Sequence, residues 1–239
     1  MRTKSIIALS FTSIMLLINS CTNEVMDNNN KGGEYFFSSC FITRYYTMDA
    51  GDLILDTYDE GQSIYTFVWQ GSSSDYYTKD HNSNEYNQLC YKYGDSGLNA
   101  YLEKENLAST NSFNCITITC DSEFPGHPVG NNLNDIVFVR LLSAKPFIDS
   151  GYSNDYLNSS PILIDGNRLI SSTEGWTEVC KLAKDISKED LMLISRYIRF
   201  EFHDRPVSDN KDVVITVALE QEGATPIVSS YGVNFSRII

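Results

Sequence analysis

Histidine is scarce in this chain. His81, His127 and His203 are the only three, and each stands alone. None belongs to an H-E-x-x-H pair, which would put two imidazoles on one helix face for zinc, and no G-x-S-x-G elbow is present. The nearest stretch, Gly151-Tyr152-Ser153-Asn154-Asp155, lacks the second glycine. No C-x-x-C and no Cys/His cluster suggests a zinc frame either. Positive charge is also short: 18 Lys and Arg face 31 Asp and Glu, for a formal charge of −13. That balance excludes nucleic acid and anionic lipid surfaces as partners, since both require clustered Lys and Arg. These absences leave no catalytic residue, no metal ligand and no cofactor to nominate. The expectation is a protein that is not an enzyme.

Long apolar runs are missing too. The longest is Ile6–Ile18, thirteen residues behind Arg2 and Lys4, against the roughly 20 that a transmembrane helix needs. A basic start and a run of that length match a signal peptide. The run ends Leu17-Ile18-Asn19-Ser20-Cys21, which resembles a bacterial lipobox. The resemblance implies cleavage before Cys21 and acylation of that cysteine. Two or more acyl chains anchor a protein stably where one does not. The alternative is an ordinary cleaved leader with an incidental cysteine. Residues 22–33, from Thr22 to Gly33, are polar and rich in Asn and Gly, and read as a flexible tether. A lipidated cysteine followed by such a tether resembles surface lipoproteins of gut Bacteroidota. Their export signal is an acidic patch just after the cysteine, which Glu24 and Asp27 echo in diluted form. The expected location is the outer membrane, with both the cell surface and the periplasmic face open. The expected organisation is a leader over 1–20, a tether over 21–33 and one domain over 34–239. Loss of the leader takes the formal charge to −15, because Arg2 and Lys4 go with it.

Five cysteines remain after Cys21, an odd number, so at least one is free or pairs between chains. Cys115 and Cys120 bracket Ile116-Thr117-Ile118-Thr119, a β-branched run. Five strand residues span about 17 Å, far beyond the ~7 Å that a disulfide allows between Cα atoms. Their odd offset also sends the two side chains to opposite faces. Buried structural thiols account best for most of the five.

What the chain has in abundance is short β signal. Tyr35–Tyr46 is aromatic and β-branched, and Leu53–Leu55 and Ser63–Trp69 follow as strands. In the last run Tyr65, Phe67 and Trp69 share one face, with Ile64, Thr66 and Val68 on the other, as in a central strand. Residues 70–88 read as a polar loop. Within it, Asp80-His81-Asn82-Ser83-Asn84 opens like a calcium loop but has Glu85 in place of the glycine and Tyr91 in place of the final glutamate. Leu89–Tyr93 reads as a strand, and Ser96 as the cap of a short helix burying Leu98, Tyr101 and Leu102. Strands are expected over 115–120 and 136–142, and a hairpin about Asp165-Gly166-Asn167. Thr173 caps an expected helix through Trp176, Val179 and Leu182, and Ser187 with Asp190 opens a helical turn. Three runs then alternate strictly: Ile198/Phe200/Phe202, Val213/Ile215/Val217/Leu219 and Tyr231/Val233/Phe235. Nine to eleven short strands with two or three short helices define a mainly β fold, an immunoglobulin-like antiparallel β-sandwich. No internal repeat is present.

Two stretches carry a family resemblance: Cys120–Asp135, and the tail running through Phe200–Pro206, Val213–Leu219 and Glu222-Gly223. Both are similar to uncharacterised Bacteroidota cell-envelope lipoproteins built on an immunoglobulin-like sandwich. The similarity implies fold and compartment and brings no catalytic residue. Function is then expected to be binding of a glycan or a protein partner. A fimbrial subunit is the structural alternative, and a lipoprotein glycosidase or esterase the enzymatic one. Tyrosines crowd the N-terminal half, among them Tyr45, Tyr46, Tyr76, Tyr77, Tyr86, Tyr91, Tyr93 and Tyr101. They serve either as sheet filler or as rings that stack on sugars. Of the two long loops, residues 70–88 offer Tyr76 and Tyr77 beside Asp80 and Asn82, and these two rings are the nominated ligand contacts. The loop over 121–135, with His127, Asn131 and Asn132, is tied down by prolines and glycines and suits a scaffold better.

Overall fold

The computed structural model describes residues 36–59, 64–102, 105–156, 175–207 and 212–235. Its elements follow the chain in this order: β1 (Phe36–Ser38), β2 (Arg44–Tyr46), β3 (Ala50–Asp59), β4 (Ile64–Ser72), β5 (Tyr76–Thr78) and helix α1 (Ser83–Tyr93). Next come β6 (Ala100–Leu102), β7 (Leu107–Ser109), β8 (Phe113–Cys120), β9 (Val137–Ser143) and helix α2 (Lys145–Asp149). The described chain closes with β10 (Thr177–Leu182), β11 (Ile194–Phe202), β12 (Val213–Gln221) and β13 (Ile227–Val233). All described residues belong to one compact unit, Glu34–Ile239.

The fold is the antiparallel β-sandwich that strand alternation calls for. A five-stranded sheet runs β10-β9-β11-β4-β3, and a three-stranded sheet runs β13-β12-β8. Inward residues of both sheets share one core, in which Phe67, Phe200, Phe202, Ile118, Ile215 and Val217 are all but completely buried. Each such side chain contributes about 1.5–3 kcal/mol through burial. Rings bridge the layers: Phe67 meets Tyr231 at 6.1 Å and Tyr65 meets Phe235 at 4.6 Å, while within the larger sheet Phe67 meets Phe202 at 5.2 Å. At one rim the Leu53 N–H of β3 donates to Ser229 Oγ of β13 at 3.0 Å, tying the sheets together.

β4 lies between β11 and β3, so both its edges are paired, and its two faces are buried in different clusters. Tyr65, Phe67 and Trp69 enter the inter-sheet core, while Val68 enters a second cluster on the opposite side. That second cluster gathers Phe41, Ile42, Tyr45, Tyr86, Cys90, Tyr93, Phe147 and Trp176. It is roofed by α1 and by a small sheet, β5-β2-β7, in which β2 and β7 run parallel.

The free edge of β8 is covered without a further strand. Asn134 Nδ2 donates to Ile116 O at 2.6 Å and its Oδ1 accepts the Ile118 N–H at 3.0 Å. The Leu133 and Gly130 N–H groups donate to Ile118 O and Cys120 O, so a loop and one side-chain amide together stand in for a strand partner. Covering an edge in this way blocks pairing with other chains.

Several local expectations are corrected. The supposed loop over 70–88 contains β5 and the start of α1, and Leu89–Tyr93 is helical. The helix is specified by Tyr86, Cys90 and Tyr93, which at offsets of four and three share its buried face. Residues 100–102 form strand β6 against β1 instead of a helix, with Tyr101 turned out to the Phe37 ring at 5.4 Å. Trp176 precedes a strand, not a helix: β10 pairs with β9 along its length, placing Trp176 in the second cluster and Val179 in the first. Tyr35–Tyr46 breaks into β1 and β2 because residues 39–42 leave the ladder to bury Phe41 and Ile42. Ser187 and Asp190 do form a reciprocal cap: the Asp190 carboxylate accepts the Ser187 N–H at 2.9 Å and Ser187 Oγ accepts the Asp190 N–H at 3.2 Å. The hairpin about Asp165-Gly166-Asn167 and the cap Thr173 lie outside the described residues.

Candidate functional site

Strand β5 fixes the two nominated tyrosines. Neighbouring strand residues face opposite ways, so their rings cannot form one stacking platform. Tyr76 is 41% exposed, whereas Tyr77 is half-buried and packs on the second cluster. Of these two, Tyr76 is the more exposed ring.

Tyr76 is furnished by its neighbours. The Arg44 guanidinium lies 5.0 Å from the ring centre, and the His81 ring is 5.0 Å away at 35°. Arg44 is itself held by Glu105 at 2.8 Å. Reciprocal backbone bonds between Thr78 and His81 close a tight turn, and Asn82 Nδ2 donates to the Tyr76 carbonyl at 3.1 Å. Asn82 takes φ 54, a left-handed conformation that asparagine tolerates better than most residues. The turn thus holds His81, Asn82 and Asp80 at the surface beside one exposed aromatic face. The Arg44 guanidinium lies over the ring and His81 packs beside it, so a sugar would meet the part of the ring they leave open, with polar groups next to it.

The other tyrosines divide between core and surface. Tyr45, Tyr46, Tyr86 and Tyr93 are buried, while Tyr91 and Tyr101 are exposed. A buried phenol needs a hydrogen-bond partner, and three of the four have one here. Tyr86 donates to the Ile42 carbonyl at 2.8 Å, Tyr93 to that of Thr110 at 3.3 Å, and Tyr45 to Asp95 at 3.1 Å.

Asp95 is a residue that sequence reasoning missed. It is wholly buried. Helix α1 ends in a Schellman turn, with Gly94 at φ 73, its N–H donating to Tyr91 O and the Asp95 N–H to Cys90 O. That turn swings the Asp95 carboxylate under residues 41–42. Oδ1 accepts the Phe41 N–H at 2.7 Å and the Tyr152 hydroxyl at 2.9 Å. Oδ2 accepts the Ile42 N–H at 2.8 Å and the Tyr45 hydroxyl. Desolvation pushes this carboxyl above its ordinary range, with the four donors pulling the other way. Tyr152 reaches Asp95 from a backbone with φ 64, unusual for an aromatic residue. Beside Asp95 sit the thiols of Cys40 and Cys90, both buried, and the three ligand atoms lie within 4.8 Å of one another.

The 121–135 loop is a scaffold. His127 Nδ1 faces the Pro125 carbonyl at 2.9 Å and Nε2 faces Asp135 at 2.8 Å. With acceptors on both nitrogens the doubly protonated ring fits best, and the His127 pKa is raised accordingly. Asn131 and Asn132 are exposed on the same loop. Ser153 caps its own turn, donating to Asp155 at 3.2 Å. Cys115 is exposed and Cys120 buried, on opposite faces of β8. Cys21 lies outside the described residues. Comparison with protein-family models, curated proteins and solved structures gave no match.

Proposed function

We propose that this chain is a lipid-anchored protein of the bacterial outer membrane whose sandwich domain binds a glycan without turning it over. The observation that carries the reading is the exposed Tyr76 ring, set in a rigid turn between Arg44, His81 and Asn82. An exposed aromatic ring with hydrogen-bonding side chains packed against it offers a sugar both an apolar contact and polar partners. The lipobox-like stretch at Cys21 and the polar stretch to Gly33 support placement at the envelope, as does the resemblance of Cys120–Asp135 to Bacteroidota lipoproteins. The domain would then be presented to solvent at the end of a polar leash.

The test is a glycan array probed with the purified chain, run beside a panel of chromogenic esters and glycosides. Saturable binding to a defined glycan set, with no turnover of the panel, is the expected result. Turnover abolished by a single Asp or Glu substitution would replace this reading with a hydrolase.

A further inference from the structure

The Cys40 and Cys90 thiols are brought together by the same device that buries Asp95. Cys90 lies on the inward face of α1 between Tyr86 and Tyr93, and its carbonyl anchors the Schellman turn. Cys40 lies in the segment between β1 and β2, whose next two N–H groups are held by Asp95. Tyr86 fastens the same segment through the Ile42 carbonyl. Three polar tethers therefore fix the backbone on either side of the two sulfurs, which lie within 4.8 Å of each other.

A metal is the first occupant to consider for two thiols and a carboxylate. Tetrahedral zinc takes four ligands and needs them free. Here both Asp95 oxygens already accept two hydrogen bonds each, from Phe41, Ile42, Tyr45 and Tyr152. Binding an ion would strip these donors of their acceptor in a wholly buried site. The Tyr86 hydroxyl is likewise committed. Two sulfurs remain with no such commitment to another backbone group, and their own bond is the chemistry left to them.

We infer that Cys40 and Cys90 are a disulfide-forming pair that locks the segment entering the domain onto helix α1. The oxidant is a small or protein disulfide, such as an exported thiol–disulfide oxidoreductase. One cysteine thiolate attacks a sulfur of that disulfide, and the oxidant's other sulfur leaves as a thiol. The second cysteine loses its proton to solvent and displaces the first oxidant sulfur from the mixed disulfide. Two protein thiols are oxidised and one disulfide is reduced to two thiols. The hydrogen bond between the two thiols favours ionisation of one of the pair, and that thiolate is the attacking group.

The bond would close a loop across fifty residues of sequence, including β2 to β5. Linking residues so far apart removes much freedom from the unfolded chain. For a chain held at Cys21, pull on the tether enters the domain just ahead of Cys40, and the bond would pass it into α1. That consequence rests on the anchored reading, whereas the bond itself does not.

The test uses the purified full chain, fully reduced and then incubated with oxidised glutathione under native conditions. Free thiols are alkylated and the digest is mapped by mass spectrometry. The expected map contains a linked Cys40–Cys90 peptide that disappears on reduction, with Cys115, Cys120 and Cys180 recovered alkylated. The oxidised protein should melt roughly 5–15 °C above the reduced one. Recovery of Cys40 or Cys90 alkylated or joined to glutathione would overturn the inference, as would one equivalent of zinc in the reduced protein. Because wild-type protein suffices, no variant has to fold, and the outcome is independent of lipidation or glycan binding.

Discussion

The Asp95 carboxylate accepts the backbone N–H of Phe41 at 2.7 Å, across fifty-four positions of sequence. One buried side chain after α1 thereby positions the segment that enters the domain. Asp95→Asn keeps the shape but leaves one accepting oxygen where there were two, and sets an amide N–H₂ against a backbone donor. The expected cost is about 2–4 kcal/mol, from lost charge-assisted bonds and a buried unsatisfied N–H. Chemical denaturation measures it. A loss under 0.5 kcal/mol would mean that Asp95 is incidental.

Packing between β3 and β4 makes a second prediction. A Cβ at Gly51 would fall 2.2 Å from Trp69 Cε2, and Trp69 is fully buried with no room to yield. Gly51→Ala should destabilise the domain by about 1–3 kcal/mol through overpacking. An unchanged urea midpoint would show that the ring is free to shift.

Much of this architecture was legible from residue order, and the failures have a common cause. Strict alternation in Ile198–Phe202 and Val213–Leu219 specified strands because one face of each meets the core. The doubly apolar Ser63–Trp69 run announced a central strand. Residues 83–93 went unread because Tyr and Cys favour strands, although Tyr86, Cys90 and Tyr93 carry helical spacing. Trp176, Val179 and Leu182 carry the same spacing yet lie in and beside a strand, since pairing with β9 overrides it. Asp95 was invisible for a related reason: its four donors come from residues 41, 42, 45 and 152, and no local pattern joins them. For Tyr76 and Tyr77 composition offered a pair, and strand geometry separates it into one surface ring and one packed ring.

The loop at His127 has a pH signature. Bonds to the Pro125 carbonyl and to Asp135 favour the imidazolium, so His127 should titrate above the ordinary histidine value of about 6.5. A raised histidine contributes stability that is fully present below the unfolded-state value and is lost as pH rises through the folded one. NMR titration reads the midpoint directly, and Asp135→Ala should lower it. A midpoint at or below the ordinary value would contradict the doubly donating ring.

Anchoring is tested through Cys21. Labelling cells with a palmitate analogue should mark the wild-type chain and leave Cys21→Ser unlabelled, as soluble protein or uncleaved precursor. Label retained on the variant would remove the lipid from this cysteine.

The account stands or falls on Tyr76. Calorimetric titration with the strongest ligand from the glycan array should show affinity reduced about tenfold or more in Tyr76→Ala, in line with the ~1.4 kcal/mol that stacking on one aromatic ring supplies. Tyr76→Phe should keep most of it, and the melting temperature should stay near wild type because the ring is exposed. Unaltered affinity in a folded Tyr76→Ala protein would show that the sugar, if bound, lies elsewhere.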